Sequence, residues 1–352
     1  MKKVLIAMCA MAAVMSCAKT ELAFEQPSEI SFSPVSKYNT KAAVTGTNFT
    51  ANQNFYVFAN TVDGNEKYFA NILFEADGTN KSTNNYQVYK GNPAQFWPNV
   101  KNLKFAGYTV TGNVGASSPS IQASMSDDFS TMTLTSYQQP LPTVAGANDL
   151  MWFFDNNSGT GYGKNTSYVE PAMAHACSWI TVNIKAESEA LCTYWKNLKV
   201  QAVSFENLIT TNNATMKSGT VSWDAATLPS PAVPVAILTN KTGGDENAKD
   251  LNHTASVECA DIVNNTIVIP QAPVTIAVTY SYTSPADAAV TITETKTGIS
   301  LDYDNDVDTN TAWVAGTHYT YELTIGANEI KIAPKSTDWA TPDSGDFAQD
   351  VK

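Results

Sequence analysis

The chain has 352 residues, a formal net charge of −12 and no arginine, so that its 21 basic residues are all lysine. That length suffices for two domains of ordinary size, each with its own hydrophobic core. Nucleic-acid binding is excluded as an expected function, because neutralising phosphates needs clustered lysine and arginine. Only 15% of the residues are charged, whereas Thr, Asn, Ala and Val are abundant, which is typical of an extracellular β protein.

Residues 1–16 have the pattern of a secretory signal peptide. Two lysines precede an apolar stretch at residues 4–15 that is too short to span a bilayer as a stable helix. Ser16 then stands directly before Cys17, which resembles a bacterial lipobox. We therefore predict cleavage before Cys17 and acylation of its thiol, with outer-membrane lipid as the binding partner. An ordinary signal peptide followed by an unmodified cysteine is the alternative.

Residues 17–41 join this signal to the rest of the chain. They consist of a polar leader and one short predicted strand, in which Ile30 and Phe32 alternate with serines until Pro34 interrupts the pattern. Lys41 stands where the globular part is predicted to begin.

The next part of the chain predicts a series of short strands. Around residues 55–58, Phe55 and Val57 lie on one face of a strand and Tyr56 and Phe58 on the other, so we expect both faces to be covered. Further strands are predicted at residues 68–74, on either side of Trp97-Pro98, and at residues 132–137, whereas residues 111–131 are predicted to be loop. A polar, glycine-rich stretch at residues 155–167 then predicts a domain boundary near residue 170.

A second run of strands begins at His175, followed by a short helix or connector within residues 186–199. Alternating apolar residues predict further strands, among them residues 180–184, 200–209, 275–282 and 319–325. Residues 211–235 are predicted to be loop and turn, with one short strand at Thr220–Trp223. Many short alternating strands separated by turns predict an all-β protein with two antiparallel β-sandwich domains in tandem, at residues 42–170 and 171–352.

Three cysteines remain after residue 17, and they are widely spaced with no metal-binding pattern. Cys177, Cys192 and Cys259 are either buried apolar thiols or one disulfide and a free thiol. The three histidines are far apart, and the sequence has no nucleophile motif, zinc motif or phosphate-binding loop. We therefore expect no enzymatic activity and no cofactor.

An acidic stretch at residues 302–310 is a weak candidate for a Ca²⁺ site. Carboxylates recur there at every second position, as in the start of an EF-hand loop, at Asp302, Asp304, Asp306 and Asp308. Val307 stands where the EF-hand has glycine, and Trp313 stands where it has glutamate. A solvated acidic loop is therefore favoured over a metal site.

Tryptophan side chains are a second class of candidate, because exposed indole rings bind sugars by stacking. The candidates are Trp97, Trp152, Trp195, Trp223, Trp313 and Trp339. Most of them stand in or beside predicted strands, which favours packing in the core over a sugar-binding platform.

Seven short blocks resemble, in order, those of the fimbrillin family, the subunits of type V pili of Bacteroidales. The blocks are residues 41–49 with FYVFAN after them, Phe96-Trp97-Pro98 with LKFAGY, Asp149–Trp152, His175 with ITVNI, residues 203–223, Ile269-Pro270-Gln271, and residues 313–339. Each block alone is weak, and together they cover nearly the whole chain after the signal.

The resemblance implies two transthyretin-like β-sandwich domains and a lipoprotein precursor. It also implies that a trypsin-like protease removes the N-terminal segment with its strand, and that a strand of a neighbouring subunit takes its place. Family members are typically cut after arginine, which this chain lacks. Lys41, directly before Ala42, is the candidate cleavage site, Lys37 is the second choice, and a solvated lysine in a loop is the alternative.

We therefore predict a structural pilus subunit of the outer surface, with other pilus subunits in a homo- or heteropolymer and surface ligands as partners. The residues after Trp339 are acidic and offer only Phe347 and Val351 as apolar side chains large enough to anchor a donor strand, which favours a tip or accessory subunit. The alternative function is a glycan-binding surface lipoprotein that does not assemble.

Overall fold

A computed structural model of the chain describes twelve segments. They are residues 28–40, 46–48, 54–80, 87–109, 122–139, 141–142, 149–225, 233–239, 247–261, 266–272, 274–302 and 312–338.

The described residues are almost entirely β-strand. The strands of the first half are β1 (Ser31–Phe32), β2 (Val35–Thr40), β3 (Gly46–Asn48), β4 (Phe55–Thr61), β5 (Lys67–Asn80), β6 (Gln87–Asn92), β7 (Leu103–Thr109), β8 (Gln122–Met125), β9 (Thr131–Gln138), β10 (Met151–Asp155) and β11 (Ala172–His175), with a 3₁₀ turn at Asn157–Gly159. The second half has α1 (Glu189–Tyr194) and the strands β12 (Ser178–Ala186), β13 (Lys199–Phe205), β14 (Thr211–Lys217), β15 (Thr220–Trp223), β16 (Val235–Leu238), β17 (Lys249–Asp250), β18 (Val257–Glu258), β19 (Ile267–Val268), β20 (Thr275–Thr283), β21 (Thr291–Ser300), β22 (Thr317–Ile325) and β23 (Ile330–Asp338).

The first sheet closes on itself. Its strands follow the order β1-β6-β5-β4-β7-β10-β11-β2-β3, and its two ends are joined because β1 runs into β2 through Ser33 and Pro34. The result is a barrel whose interior is filled by aromatic and aliphatic side chains, including Phe55 and Val57. Phe58 lies on the outer face, in a second apolar cluster. The prediction that both faces of this strand are covered is therefore confirmed.

A separate four-stranded sheet, in the order β15-β14-β9-β8, covers part of the outer face of the barrel. Leu134 and Met216 belong to the apolar cluster in which Tyr108 and Trp152 of the barrel are buried. The prediction of loop for residues 111–131 was wrong where β8 forms. The prediction of loop and turn with one short strand for residues 211–235 was wrong where β14 forms. Strand β14 has few apolar residues, and only Ala214 and Met216 are fully buried in it, so its sequence carries little alternation.

The second half forms a β-sandwich around its own core. One sheet has the order β18-β12-β22-β23, with β19 also on β12, and the other has β16-β13-β20-β21, with β17 also on β13. Alternate residues of the central strands fill the space between the sheets, among them Val182, Leu323, Phe205 and Val278. These are the positions at which the sequence alternates, because neighbouring side chains on a strand point to opposite faces.

The predicted short helix is confirmed as α1, which begins after the cap residue Ser188 and ends at Tyr194. The Ser188 hydroxyl accepts a hydrogen bond from the backbone N–H of Leu191, which satisfies one of the amides that the first helical turn leaves without a partner. Among the described residues, no helix is both long enough and apolar enough to cross a membrane.

The all-β, sandwich-like architecture predicted from the sequence is confirmed. Among the described strands, every pairing is antiparallel except those of β2 with β11 and of β12 with β22. The division into domains near residue 170 stays a prediction. Three pairings of described strands cross that position, because β11 pairs with β10 and with β2, and β14 pairs with β9.

A buried contact between a histidine and an aspartate lies where the chain passes from the barrel to the second sandwich. Nδ1 of His175 is 2.7 Å from Oδ2 of Asp149, and both side chains are fully buried. The backbone around Asp149 is held as well, because the Thr109 hydroxyl donates to the carbonyl of Asp149 and accepts from the N–H of Met151. Two blocks of the family resemblance thus contact each other here.

All three described cysteines are free thiols, which excludes a disulfide among them. Cys177 and Cys259 are buried and Cys192 is half-buried. Burial raises the pKa of the Cys259 thiol to about 12. Burial and then the charge of Asp149 raise the pKa of the Cys177 thiol well above its ordinary value.

Replacing His175 by alanine should destabilise the protein by about 3–5 kcal/mol, because it removes the partner of the buried Asp149 carboxyl group and leaves a cavity. The free energy of unfolding in urea measures this loss. His253→Ala is the control, since His253 is exposed. Equal stabilities for the two variants would contradict a structural role for the buried pair.

In the folded chain from residue 18, only Cys192 should react within minutes with a thiol reagent at pH 8, because the thiolate is the reactive form and the other two thiols are buried. The number of thiols that react should rise from one to three when denaturant is added. Rapid reaction of Cys177 or Cys259 in the folded protein would contradict their burial.

Candidate functional site

Residues 28–40, here called the closing segment, complete the barrel from both sides. On the first side the segment runs antiparallel to β6 and the residues that follow it, with Phe32 opposite Tyr89. The N–H of Ile30 donates to the carbonyl of Gln95 at 2.8 Å, and the N–H of Trp97 donates to the carbonyl of Ser28 at 2.9 Å. These bonds occupy the edge of the sheet that ends in β6.

On its second side the closing segment pairs with the chain before and within β11. Ser33 donates its N–H to the carbonyl of Val169 at 2.8 Å, and Val169 donates its N–H to the carbonyl of Ser31 at 2.9 Å. Beyond Pro34, β2 continues in parallel with β11, with Val35 beside Ala172. One short segment therefore satisfies two sheet edges, and its removal would leave both without a partner strand.

Phe32 is fully buried at the centre of an aromatic cage. Its ring centroid lies 4.8 Å from that of Phe74, 5.2 Å from that of Phe105 and 5.7 Å from that of Phe55, in edge-to-face arrangements. A fourth ring, that of Phe153, lies at 6.3 Å. Such contacts between aromatic rings stabilise a core beyond the burial of area alone. Phe32 is thus the main apolar contact between the closing segment and the barrel.

The other side chains of the segment near Phe32 are buried as well. Ile30 is fully buried in the same cluster as Trp97. Ser33 is also fully buried, and its hydroxyl has no hydrogen-bond partner among the described residues. A buried hydroxyl without a partner costs about 1–3 kcal/mol. The closing segment is therefore bound less tightly than a segment with a small apolar residue in place of Ser33 would be.

The rim of the site carries charged and polar contacts. Lys90 of β6 lies 3.1 Å from the carboxylate of Asp77 and 3.8 Å from that of Glu29 in the closing segment. The hydrogen bond with Asp77, and then the charges of Asp77 and Glu29, raise the pKa of the Lys90 ammonium. Because these side chains are partly exposed, they contribute little to stability, and the buried apolar contacts dominate.

The predicted removable strand forms part of the barrel wall. Its side chains Ile30 and Phe32 are both fully buried in the barrel interior. The predicted lipidation site, Cys17, and the predicted processing site, Lys41 with Ala42, lie outside the described residues.

Of the acidic stretch, Asp302 is half-buried, and Asp304, Asp306 and Asp308 lie outside the described residues. Across the segments that the structure describes, no three metal-binding side chains cluster.

The tryptophan candidates that the structure describes are buried or half-buried and form no surface platform. Four of them are buried, namely Trp97, Trp152, Trp195 and Trp313. Trp223 is half-buried, and its indole N–H donates to the carbonyl of Ala176. Trp339 lies outside the described residues.

The sequence did not reveal the second half of the closing segment. Pro34 was interpreted as the end of the strand, but the segment only changes its pairing there, and β2 begins at the next residue. A proline fits at this position because it lacks the N–H that a continuous ladder would need. The partner Val169 was missed for a different reason, because nothing in the sequence indicates a contact between residues so far apart.

A model of the fimbrillin-like family matches residues 40–339, a range that begins at the last residue of β2. A comparison with curated proteins finds no match.

Several solved structures are similar at low identity. A fimbrial protein from Bacteroides vulgatus is 16% identical, with a TM-score of 0.53 over 82% of this chain and 93% of that one. A candidate cell adhesion protein from Bacteroides uniformis is 16% identical, with a TM-score of 0.48 over 89% of this chain and 100% of that one. The tip fimbrial protein Mfa3 from Porphyromonas gingivalis is 10% identical, with a TM-score of 0.39 over 89% of this chain and 100% of that one. The first of these similarities supports the fold described above.

Phe32→Ala should lower the free energy of unfolding by about 3–5 kcal/mol, because it empties the centre of the aromatic cage. Urea denaturation of the chain from residue 18 measures the effect. The matched control is Phe96→Ala, since the Phe96 side chain is 43% exposed and should cost far less. Similar losses for the two variants would contradict the importance of the cage.

Ser33→Ala should stabilise the same chain by roughly 1 kcal/mol, because it removes a buried hydroxyl that has no hydrogen bond and keeps the volume nearly constant. A rise in the midpoint of urea denaturation measures it. Ser31→Ala is the control within the same segment. A loss of stability in Ser33→Ala would mean that this hydroxyl has a partner when the protein is in solution.

Proposed function

Because the chain belongs to the fimbrillin-like family, we propose that it is a structural subunit of a cell-surface pilus that supports adhesion, assembled by exchange of the closing segment. The role is structural rather than catalytic. The observation that carries the proposal is the position of residues 28–40. This segment closes the barrel, and it is the part of the barrel that lies nearest in the chain to the predicted export signal.

Cleavage after Lys41 would cut the chain directly behind β2. Loss of the closing segment would then expose the edges of β6 and β11 and the aromatic cage around Phe32. A strand of a neighbouring subunit that enters this groove satisfies the backbone groups of both edges and fills the cage. Two large apolar side chains docked in place of Ile30 and Phe32 contribute about 3–6 kcal/mol, before backbone pairing.

The groove sets requirements for the incoming strand. It must run antiparallel to β6 and then parallel to β11, as the closing segment does. It needs large apolar side chains two residues apart, where Ile30 and Phe32 stand now. A small apolar residue in place of Ser33 would avoid a buried hydroxyl without a partner, so a neighbour's strand can bind more tightly than the resident one.

Export and anchoring complete the proposal. Cleavage before Cys17 and acylation of its thiol would hold the precursor at the outer membrane before assembly. The stretch from Cys17 to Ser28 spans at most about 40 Å when extended, so the barrel would stay close to the lipid surface. Lys37 is the second candidate for processing, and it lies within β2, where a protease would need the strand to detach first.

Limited trypsin digestion of the folded chain from residue 18 tests the processing step. The first cut should follow Lys41, and N-terminal sequencing identifies it. The cleaved protein should then exchange its bound closing segment for a labelled synthetic peptide of residues 28–40, as measured by fluorescence anisotropy. A Phe32→Ala peptide is the matched control and should bind at least about tenfold more weakly.

Assembly is measured on the same cleaved material. Polymers should appear by electron microscopy once the closing segment is displaced by a strand of a neighbouring subunit, and an excess of the residue 28–40 peptide, which refills the groove, should suppress them. A cleaved protein that stays monomeric and binds neither peptide would contradict strand exchange. A first cut at another lysine would contradict only the role of Lys41.

A further inference from the structure

A cleft of about 520 Å³ lies between the barrel and the four-stranded sheet. Strand β5 forms one wall, with Lys67 and Asn71, and β8 and the turn after it form the other, with Ser124 and Asp127. The size falls within the usual range for small-ligand sites. No part of the closing segment lines it, so the cleft is separate from the strand-exchange groove.

The backbone is distorted where it meets the cleft. Ala70 and Asn71 of β5 together stand opposite the single residue Phe58 of β4, which is a β-bulge. Asn71 adopts a left-handed conformation with φ of 53°, which is uncommon for a residue other than glycine. Bulges re-aim side chains and occur next to functional sites. Here the bulge brings Asn71 into the lining of the cleft.

A hydrogen bond from the barrel holds the side chain of Asn71 in place. The hydroxyl of the buried Tyr108 donates to Oδ1 of Asn71 at 2.9 Å, which leaves Nδ2 of Asn71 available as a donor. Nδ2 of Asn65 donates to the carbonyl of Asp127 at 2.6 Å, which ties the two walls together at one end of the cleft. The site is therefore preformed.

The two walls offer complementary groups. Lys67 and Asn71 present donors, whereas the carboxylate of Asp127 presents acceptors on the opposite wall. Neither Lys67 nor Asp127 makes an ion pair within the part of the chain that the structure describes. One positive and one negative charge cancel, so the cleft does not favour an ion of either sign. The apolar side chains of Phe58, Phe69 and Met125 also line it.

We propose that this cleft binds a neutral pyranose residue of a surface glycan. The hydroxyl groups of a sugar both accept and donate hydrogen bonds, which matches donors on one wall and acceptors on the other. Its C–H face suits the apolar part of the lining. The cleft is open on one side, which fits one sugar at the end of a longer chain. The proposal adds a ligand class to the adhesive role proposed above and does not depend on strand exchange.

The test uses the folded chain from residue 18, with the closing segment in place, on an array of neutral and sialylated oligosaccharides. Neutral glycans should bind, and saturation-transfer NMR with the best of them should give a millimolar or tighter Kd. Asn71→Gly and Asp127→Asn should each weaken binding at least about tenfold, because the first removes a hydrogen-bond donor and the second replaces a charged acceptor by a neutral one. Glycine accepts the left-handed backbone at position 71, and urea denaturation of Asn71→Gly checks that loss of the hydrogen bond from Tyr108 leaves the protein folded.

Asn197→Gly is the matched control, because Asn197 also has a left-handed backbone, with φ of 56°, and lies in the second sandwich. It should bind the same glycan as the unaltered chain does. The proposal is overturned if no neutral glycan binds, if Asn71→Gly and Asp127→Asn bind as well as the control does, or if only sialylated glycans or added zwitterionic dipeptides bind. Because the closing segment stays in place throughout, none of these results bears on assembly.

Discussion

The barrel depends on one requirement, that both open edges of its sheet be paired at once. The strands from β6 to β11 form a curved sheet, and among the described residues it is the segment 28–40 that pairs with both of its edges. Phe32 supplies the apolar part of the same contact, with four aromatic rings within 6.3 Å. If the segment paired its backbone but lacked Phe32, a void would remain among the four aromatic rings. If Phe32 were in place but the backbone did not pair, buried N–H and C=O groups of the sheet edges would lack partners.

Under the proposed function, the segment that closes the barrel is later replaced and has to satisfy opposing demands. The precursor needs it for a filled core, which favours the complete burial of Ile30 and Phe32. Replacement needs a competitor that binds better, and the buried hydroxyl of Ser33 leaves room for one. The contacts with the rim do not change this balance, because Glu29 and Lys90 are exposed to solvent screening. Under the proposed function, the difference in free energy between the two strands drives assembly.

The proposed assembly and the proposed ligand binding would use different parts of the same barrel. The closing segment enters between β6 and β11, whereas the proposed sugar site lies between β5 and β8. The four-stranded sheet matters for this separation, because it covers the outer face of the barrel and supplies one wall of the cleft. A subunit could therefore exchange its strand without disturbing the cleft.

Much of the fold follows from the sequence alone. Alternation predicted the strands of the second sandwich, because a half-buried strand must place apolar residues at every second position. Ile30 and Phe32 stood out for the same reason. Strand β14 did not, since only two of its residues are fully buried, and β2 did not, since Pro34 interrupts the pattern before it.

The tertiary structure decided which residues that are far apart in the chain contact each other. Local pattern shows that a residue will be buried, but it carries no information about which distant edge will pair with it. Only the folded barrel shows that the segment around Phe32 lies between Tyr89 and Val169 and that Asp149 meets His175. The sequence thus determined that residues 30–32 would form a strand. The tertiary structure decided that this strand closes the barrel, because closure depends on where two far-apart edges come to rest.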